Sequence, residues 1–176
     1  MRIRSAIAVS AASAAAAFTL LSAAAPSQAA AGPATRTARC TEQALTVRAR
    51  AVPGRPTVLR TRVTNRSGRA CLVDRVPTVT FGNLDGIALP TPQGGAGSYR
   101  LAAGGTAHAD IRTIGDPADP QARRVPGVAV AASAAHWGRS FTAAQLGTGA
   151  KVLVWEPVTT WWQPSAAAAD RAIGLS

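Results

Sequence analysis

The sequence predicts an all-β fold, an immunoglobulin-like β-sandwich of about seven short antiparallel strands with one disulfide bond. The first observation behind this fold class is an alternation of apolar and polar residues with a period of two, which is typical of strands with one buried face. The second is the regular recurrence of turn signals rich in Gly, Pro and Asn between these segments. The third is the lack of an apolar pattern that would predict an amphipathic helix of globular length.

The first two strands, residues 45–52 and 58–64, form a predicted β-hairpin around the turn signal at residues 53–56. If the turn centres on Arg55, the numbers of facing residues sum to 110. Arg48 then lies opposite Arg62, and Arg50 lies opposite Arg60, with all four side chains on the outer face of the hairpin. We therefore expect a patch of four arginines on this surface.

The later strands are shorter and are separated by loops. Residues 90–97 form a Pro- and Gly-rich segment that we expect to be a mobile loop, and the Ala-rich residues 165–176 form either one short helix or a frayed tail. The predicted strands cover residues 71–76 and 78–81, which Pro77 separates, and residues 107–113, 125–131 and 151–155.

The N-terminal residues have the features of a targeting segment. Arg2 and Arg4 precede an uncharged apolar stretch, and Ser27 and Ala29 supply the small residues of a cleavage site. The sequence thus predicts a signal peptide at residues 1–29, cleaved after Ala29, and a secreted product without a transmembrane segment. Residues 30–39 are a predicted flexible leader, residues 40–164 the β-sandwich domain and residues 165–176 the tail.

Cys40 and Cys71 are the only cysteines of the chain. Their even number and the oxidising compartment predict a disulfide bond between them. A redox-active pair would usually be spaced as Cys-x-x-Cys, so the wide spacing favours a structural bond. Closing the loop between them contributes about 3–4 kcal/mol to stability in the chain-entropy treatment.

The charge of the chain points to an anionic partner. Nineteen Lys and Arg residues against eight Asp and Glu residues give a formal net charge of +11. A basic secreted domain attracts extracellular polyanions, so we expect a cell-wall polymer or an acidic protein as the partner. Nucleic acid fits the charge, but it does not fit the compartment, and no nucleic-acid-binding motif is present.

Tryptophans supply a second candidate surface. The apolar run at residues 151–155 predicts a buried Trp155, and the bend at Pro157 places Trp161 and Trp162 on another surface. Neighbouring residues of a strand point to opposite faces, so we expect at least one of Trp161 and Trp162 to be exposed. The alternative to an arginine-based module is thus a small carbohydrate-binding domain or hydrolase that uses the Trp cluster, unless both indoles cap the core.

The sequence also disfavours several chemistries. A blue-copper site needs two His, a Cys and usually a Met, and with both cysteines paired only His108 and His136 are left, so we expect no metal. No Gly-x-Ser-x-Gly segment occurs, and the few acidic residues lie mostly in turns. We therefore expect a protein without a cofactor and without catalytic activity.

Two segments of the chain resemble a known family. The run from Thr64 to Cys71, followed by Pro77-Thr78-Val79, and the run from Leu101 to Ala109 are similar to the motifs of the secreted actinobacterial domain of unknown function 4232 (DUF4232). The resemblance extends from Cys40 to about Pro164 and implies a secreted β-sandwich without implying an activity. The sequence departs from the family at Ala103, where Pro is usual, and lacks the family's further cysteine pair, which implies a less tightly fixed C-terminal half.

Overall fold

The computed structural model describes residues 36–175, in which β-strands predominate and the predicted all-β fold is confirmed. The strand count differs from the prediction, because this part of the chain contains twelve strands rather than about seven. Two helices and one 3-10 turn (Glu42–Ala44) accompany them. The elements are β1 (Leu45–Val52), β2 (Arg55–Asn65), β3 (Cys71–Asp74), β4 (Thr78–Phe81), β5 (Leu89–Thr91), β6 (Ser98–Leu101), β7 (Thr106–Arg112), β8 (Arg123–Val125), β9 (Gly127–Ala131), β10 (Arg139–Thr142), α1 (Ala143–Leu146), β11 (Val152–Val154), β12 (Val158–Thr160) and α2 (Ala166–Ile173).

The largest sheet has five strands in the order β1-β2-β7-β12-β5. A three-stranded sheet has the order β10-β9-β4, and two further pairs are β11-β8 and β3-β6. The prediction of purely antiparallel strands is wrong at one place, because β12 and β5 pair in parallel. β5, β10 and β12 were not predicted, because each has three or four residues without an alternation of apolar and polar side chains. β5 overlaps the start of the segment at residues 90–97 that the sequence predicts to be a mobile loop, so that prediction is wrong at residues 90 and 91.

The predicted hairpin register is confirmed. Arg48 pairs with Arg62 and Arg50 with Arg60, and the antiparallel ladder keeps this register until a bulge between Ala51 and Val52. Alternation along the two strands fixes this register, because a slip of one residue would move the apolar side chains of the inner face to the outer face.

Proline divides another predicted strand. Residues 125–131 form parts of two strands, β8 and β9, which are separated at Pro126. Proline lacks the N–H that a ladder requires, so β8 pairs with β11 while β9 pairs with β4 and β10.

The main core lies between the inner face of the five-stranded sheet and the three-stranded sheet. Leu59 and Ile111 from the first sheet belong to the same buried cluster as residues of the second, namely Val79, Phe81, Val128, Val130 and Phe141. A smaller cluster surrounds the disulfide and includes Val63, Val73 and Leu101.

The predicted disulfide is confirmed, with the Cys40 and Cys71 sulfur atoms 2.05 Å apart and the Cα atoms 4.9 Å apart. Part of the predicted flexible leader is ordered beside it. The N–H of Leu72 donates to the carbonyl of Ala38 (2.9 Å), and Arg39 forms a parallel bridge with Leu72. The predicted signal peptide lies outside the described residues.

The compact unit does not end at residue 164, because helix α2 packs on β7 and β12. Ser165 caps its N-terminus, and Ala169 and Ile173 are buried on its inner face. The Arg112 guanidinium donates to the Ile173 carbonyl at the C-terminal end of the helix. The Ala-rich tail therefore takes the helical alternative. Among the described residues, no helix is both long enough and apolar enough to span a membrane.

Candidate anion-binding site

The arginines of the hairpin lie in two rows that run across strands β1, β2 and β7. In one row, Arg48 pairs with Arg62, which pairs with His108. In the other row, Arg50 pairs with Arg60, and Arg60 pairs with Asp110. Since positions two apart on a strand share a face, both rows lie on the outer face of the five-stranded sheet.

A cavity of about 390 Å³ opens on this face, and all four predicted arginines line it. His108 of β7 and Ala166 of the first turn of α2 complete the lining together with Ala49. The sequence predicted the arginine patch from the hairpin register. It did not predict the cavity, because helix α2 forms one of its walls from more than 100 residues further along the chain.

The four arginines are not equivalent. Arg60 is half-buried and forms ion pairs with Asp110 (3.1 Å from Nε to Oδ1) and with Asp170 of helix α2. Arg48, Arg50 and Arg62 are exposed and make no ion pair with any described residue. The predicted patch of four arginines is therefore present on this face, but the charge of Arg60 is compensated, and three guanidinium groups of the cavity have no ion pair with a described residue.

Asp110, the ion-pair partner of Arg60, is fully buried. Burial raises the pKa of Asp110 to about 6; the hydrogen bond from Arg60 opposes this increase, and the nearby Asp170 carboxyl adds to it. Burial acts to lower the pKa of Arg60, but the hydrogen bonds and charges of both aspartates raise it above its ordinary value. Arg60 therefore remains charged and ties helix α2 to the sheet.

His108 contributes an uncharged group at neutral pH. Burial lowers its pKa, and the positive charges of Arg62 and Arg60 lower it further. The cavity therefore combines three charged guanidinium forks with a neutral imidazole. Guanidinium forks donate paired hydrogen bonds to phosphate, sulfate and carboxylate oxygens, so this arrangement is suited to binding an oxyanion.

The tryptophans lie elsewhere than the sequence predicted. Trp162 is 3% exposed and belongs to the cluster around the disulfide. Trp161 is half-buried beneath the Arg75 guanidinium, whose central carbon lies 4.1 Å from the ring centroid. Since Trp162 is buried and Trp161 is only partly exposed, the prediction of a largely exposed member of this pair is wrong. Trp155, predicted to be substantially buried, is partly exposed.

The exposed indole is that of Trp137, which is 95% exposed in the turn before β10. The residues preceding it, Ala134, Ala135 and His136, show no strand alternation, and this was the available signal that the tryptophan lies in a turn. Among the described residues, no group of three or more His, Cys, Asp or Glu side chains has an arrangement that could hold a metal ion.

Comparisons with known proteins identify a family and nothing closer. The model of a family described as "Domain of unknown function (DUF4232)" matches residues 40–162. Comparison with curated proteins gave no match, and comparison with solved structures gave none either.

Proposed function

This chain belongs to the DUF4232 family, and we propose that it is a secreted, non-catalytic module that binds an anionic cell-wall polymer through the arginine-lined cavity. The observation that carries the proposal is the presence of three uncompensated arginines, Arg48, Arg50 and Arg62, around one cavity. Their forks are suited to the phosphate or carboxylate groups that recur along such a polymer.

The facing arginines lower the stability of the sheet when no anion is bound. Arg48 lies directly opposite Arg62, and like charges in facing positions destabilise a sheet by roughly 0.2–1 kcal/mol. Arg50 faces Arg60, whose charge is already compensated by Asp110 and Asp170. A bound anion would remove the repulsion within the first row, which supports a binding role for this surface.

Binding to isolated cell walls tests the proposal, with the purified protein measured at low and at high salt. Because exposed charges are screened by salt, wall binding should weaken steeply as salt rises. The triple variant R48Q/R50Q/R62Q should lose at least tenfold in affinity. The matched control R69Q/R100Q/R124Q removes the same charge from exposed arginines that do not line the cavity.

Equal losses in the two triple variants would show that net charge alone drives binding and would refute the site. Retention of wall binding by R48Q/R50Q/R62Q would refute the function. If R48Q/R50Q/R62Q kept its affinity for walls but lost its affinity for polyglutamate, the arginine-lined cavity would instead be assigned to an acidic protein partner.

The competing function is a carbohydrate-binding domain or hydrolase that uses the tryptophans. The pair Trp161 and Trp162 lends it little support, because Trp162 is buried and Trp161 is only partly exposed beneath Arg75. Secretion rests on the predicted signal peptide at residues 1–29. N-terminal sequencing of the protein from the culture medium should begin at Ala30, and retention of the segment in a membrane fraction would contradict secretion.

A further inference from the structure

A second cavity, of about 220 Å³, opens beside the N-terminal end of β1, and its charged lining residues are Glu42, Arg66 and Arg139. His136 and Gly138, the two chain neighbours of the exposed Trp137, line it as well. The cavity is smaller than the roughly 300–1,000 Å³ of pockets for drug-sized ligands, so it has room for a single small ring.

The turn that carries Trp137 is fixed by hydrogen bonds to the segment next to the disulfide. The Glu42 carboxylate accepts the backbone N–H of Trp137 (3.2 Å) and that of Gly138 (2.6 Å). The His136 ring is also bonded to this segment, with Nε2 3.1 Å from the carbonyl oxygen of Cys40. The exposed indole is therefore presented by a backbone that is already ordered, which reduces the entropy lost on binding.

Gly138 makes this turn possible. It has a φ of 76°, in the left-handed region that favours glycine. A Cβ atom at this position would lie 2.5 Å from the carbonyl oxygen of Val130. The residue after Trp137 is thus restricted to glycine by both conformation and space, and the position of the tryptophan is determined by the fold.

The charges around the cavity favour an acidic ligand. Arg66 and Arg139 are exposed and contribute two positive charges, whereas Glu42 contributes one negative charge whose two oxygens already accept backbone N–H groups. The remaining positive charge attracts an acid group, and the flat apolar face of an indole suits the C–H face of a sugar ring.

We infer that one acidic sugar ring binds here, with its acid group in the cavity at Arg66 and Arg139 and its face against Trp137, which does not line the cavity itself but stands between two residues that do, His136 and Gly138. The inference deepens the proposed function, on which it rests, because it makes the bound polymer a glycan. The arginine-lined cavity would supply the general attraction for polyanions, and the Trp137 site would select those that are built from sugars.

The test measures the affinity of the full chain for three probes, which are polygalacturonate, polyglutamate and vesicles containing phosphatidylglycerol. W137A should weaken binding to polygalacturonate at least tenfold and leave binding to polyglutamate within twofold. R66Q/R139Q should weaken polygalacturonate binding to a similar extent. The control L89A removes another exposed apolar side chain, 63% exposed, and should change neither affinity.

An unchanged affinity of W137A for polygalacturonate would overturn the inference, and so would an equal loss for polygalacturonate and polyglutamate. Loss of vesicle binding alone would replace the sugar with a lipid surface. Failure of the proposed function is distinguishable, because R48Q/R50Q/R62Q would then bind polyglutamate and polygalacturonate as tightly as the unaltered protein. Since Trp137 is 95% exposed, W137A should retain the unaltered melting temperature, which separates lost contacts from misfolding.

Discussion

The buried Asp110 should make the stability of this protein depend on pH in an unusual direction. Its pKa in the folded protein is raised to about 6 from an ordinary value of 3.8. Between these two pH values the folded chain holds a proton that the unfolded chain has already released. Because stability falls with rising pH wherever the folded state binds more protons, the free energy of unfolding should decrease from pH 4 to pH 6.

The magnitude follows from the difference between the two pKa values. About 1.4 kcal/mol for each unit of pKa difference gives a total decrease of about 3 kcal/mol, of which about 2 kcal/mol falls between pH 4 and pH 6 because each group is half-titrated at its own pKa. Asp170 raises the pKa of Asp110 through its charge and hydrogen bonding. The D170N variant should therefore move the pH range of the decrease toward lower pH.

Urea unfolding followed by far-UV circular dichroism at a series of pH values provides the assay. The D110N variant keeps the shape of the side chain but cannot titrate, so the difference in unfolding free energy between the unaltered protein and D110N should change by about 2 kcal/mol between pH 4 and pH 6. His108 changes the free energy of unfolding in the opposite direction. Because its pKa is lowered in the folded protein, the stability that its neutral form contributes is lost as pH falls below 6.5. The contribution of His108 is present in the unaltered protein and in D110N, so it cancels when the two unfolding free energies are subtracted. Parallel pH profiles for the two proteins would refute the reasoning.

Three further predictions concern stability. Replacing Cys40 and Cys71 together by Ala should lower the free energy of unfolding by about 3–4 kcal/mol, measured by urea unfolding, and a loss below 1 kcal/mol would contradict the loop-closure argument. G127A should prevent β9 from pairing with β10, because the new Cβ would clash with the backbone carbonyl oxygen of Phe141 in β10. The control G115A should fold normally, because a Cβ there has no heavy atom within 4 Å, and circular dichroism would show the difference between the two variants. I173A removes a side chain that is 3% exposed and should lower stability by about 2–4 kcal/mol in thermal unfolding, whereas a near-neutral result would show that α2 is not firmly packed.

The sequence predicted those parts of the fold that depend on local pattern. The register of β1 and β2 follows from alternation and is confirmed from Leu45 opposite Asn65 to Ala51 opposite Leu59. The predicted turn centre is wrong, because Arg55 belongs to β2 and pairs with Val52 beyond the bulge. The disulfide follows from cysteine number. In both cases the paired residues lie within a few dozen positions of each other in the sequence. Their pairing can therefore be predicted without knowing which other elements pack against them.

The elements that were not predicted are stabilised by segments that are distant in the sequence. β12 has three residues and is a strand because it pairs with β7 on one side and with β5 on the other. Helix α2 has an Ala-rich sequence that is marginal as an isolated helix, since most of the stability of short helices comes from packing. Its burial of Ala169 and Ile173 against the sheet is visible only when both are in place.

The same distinction explains the outcome for the candidate surfaces. The sequence could place Arg60 beside Arg50, but it could not show that Asp110 and Asp170 compensate its charge, because one partner comes from β7 and the other from α2. Counting bases along a strand therefore overestimates the charge available to a ligand. What distinguishes Arg48, Arg50 and Arg62 from Arg60 is the absence of an acid within reach among the described residues, and that is a property of the folded surface. If these three arginines exist to bind an anion, an acid introduced beside them should mimic the ligand. T46E, on the same face of β1 as Arg48, should stabilise the unaltered protein by a few tenths of a kcal/mol and should give no such gain in R48Q/R50Q/R62Q. The free energy of unfolding is the readout, because Thr46 also lines the second cavity and wall binding would report on both sites.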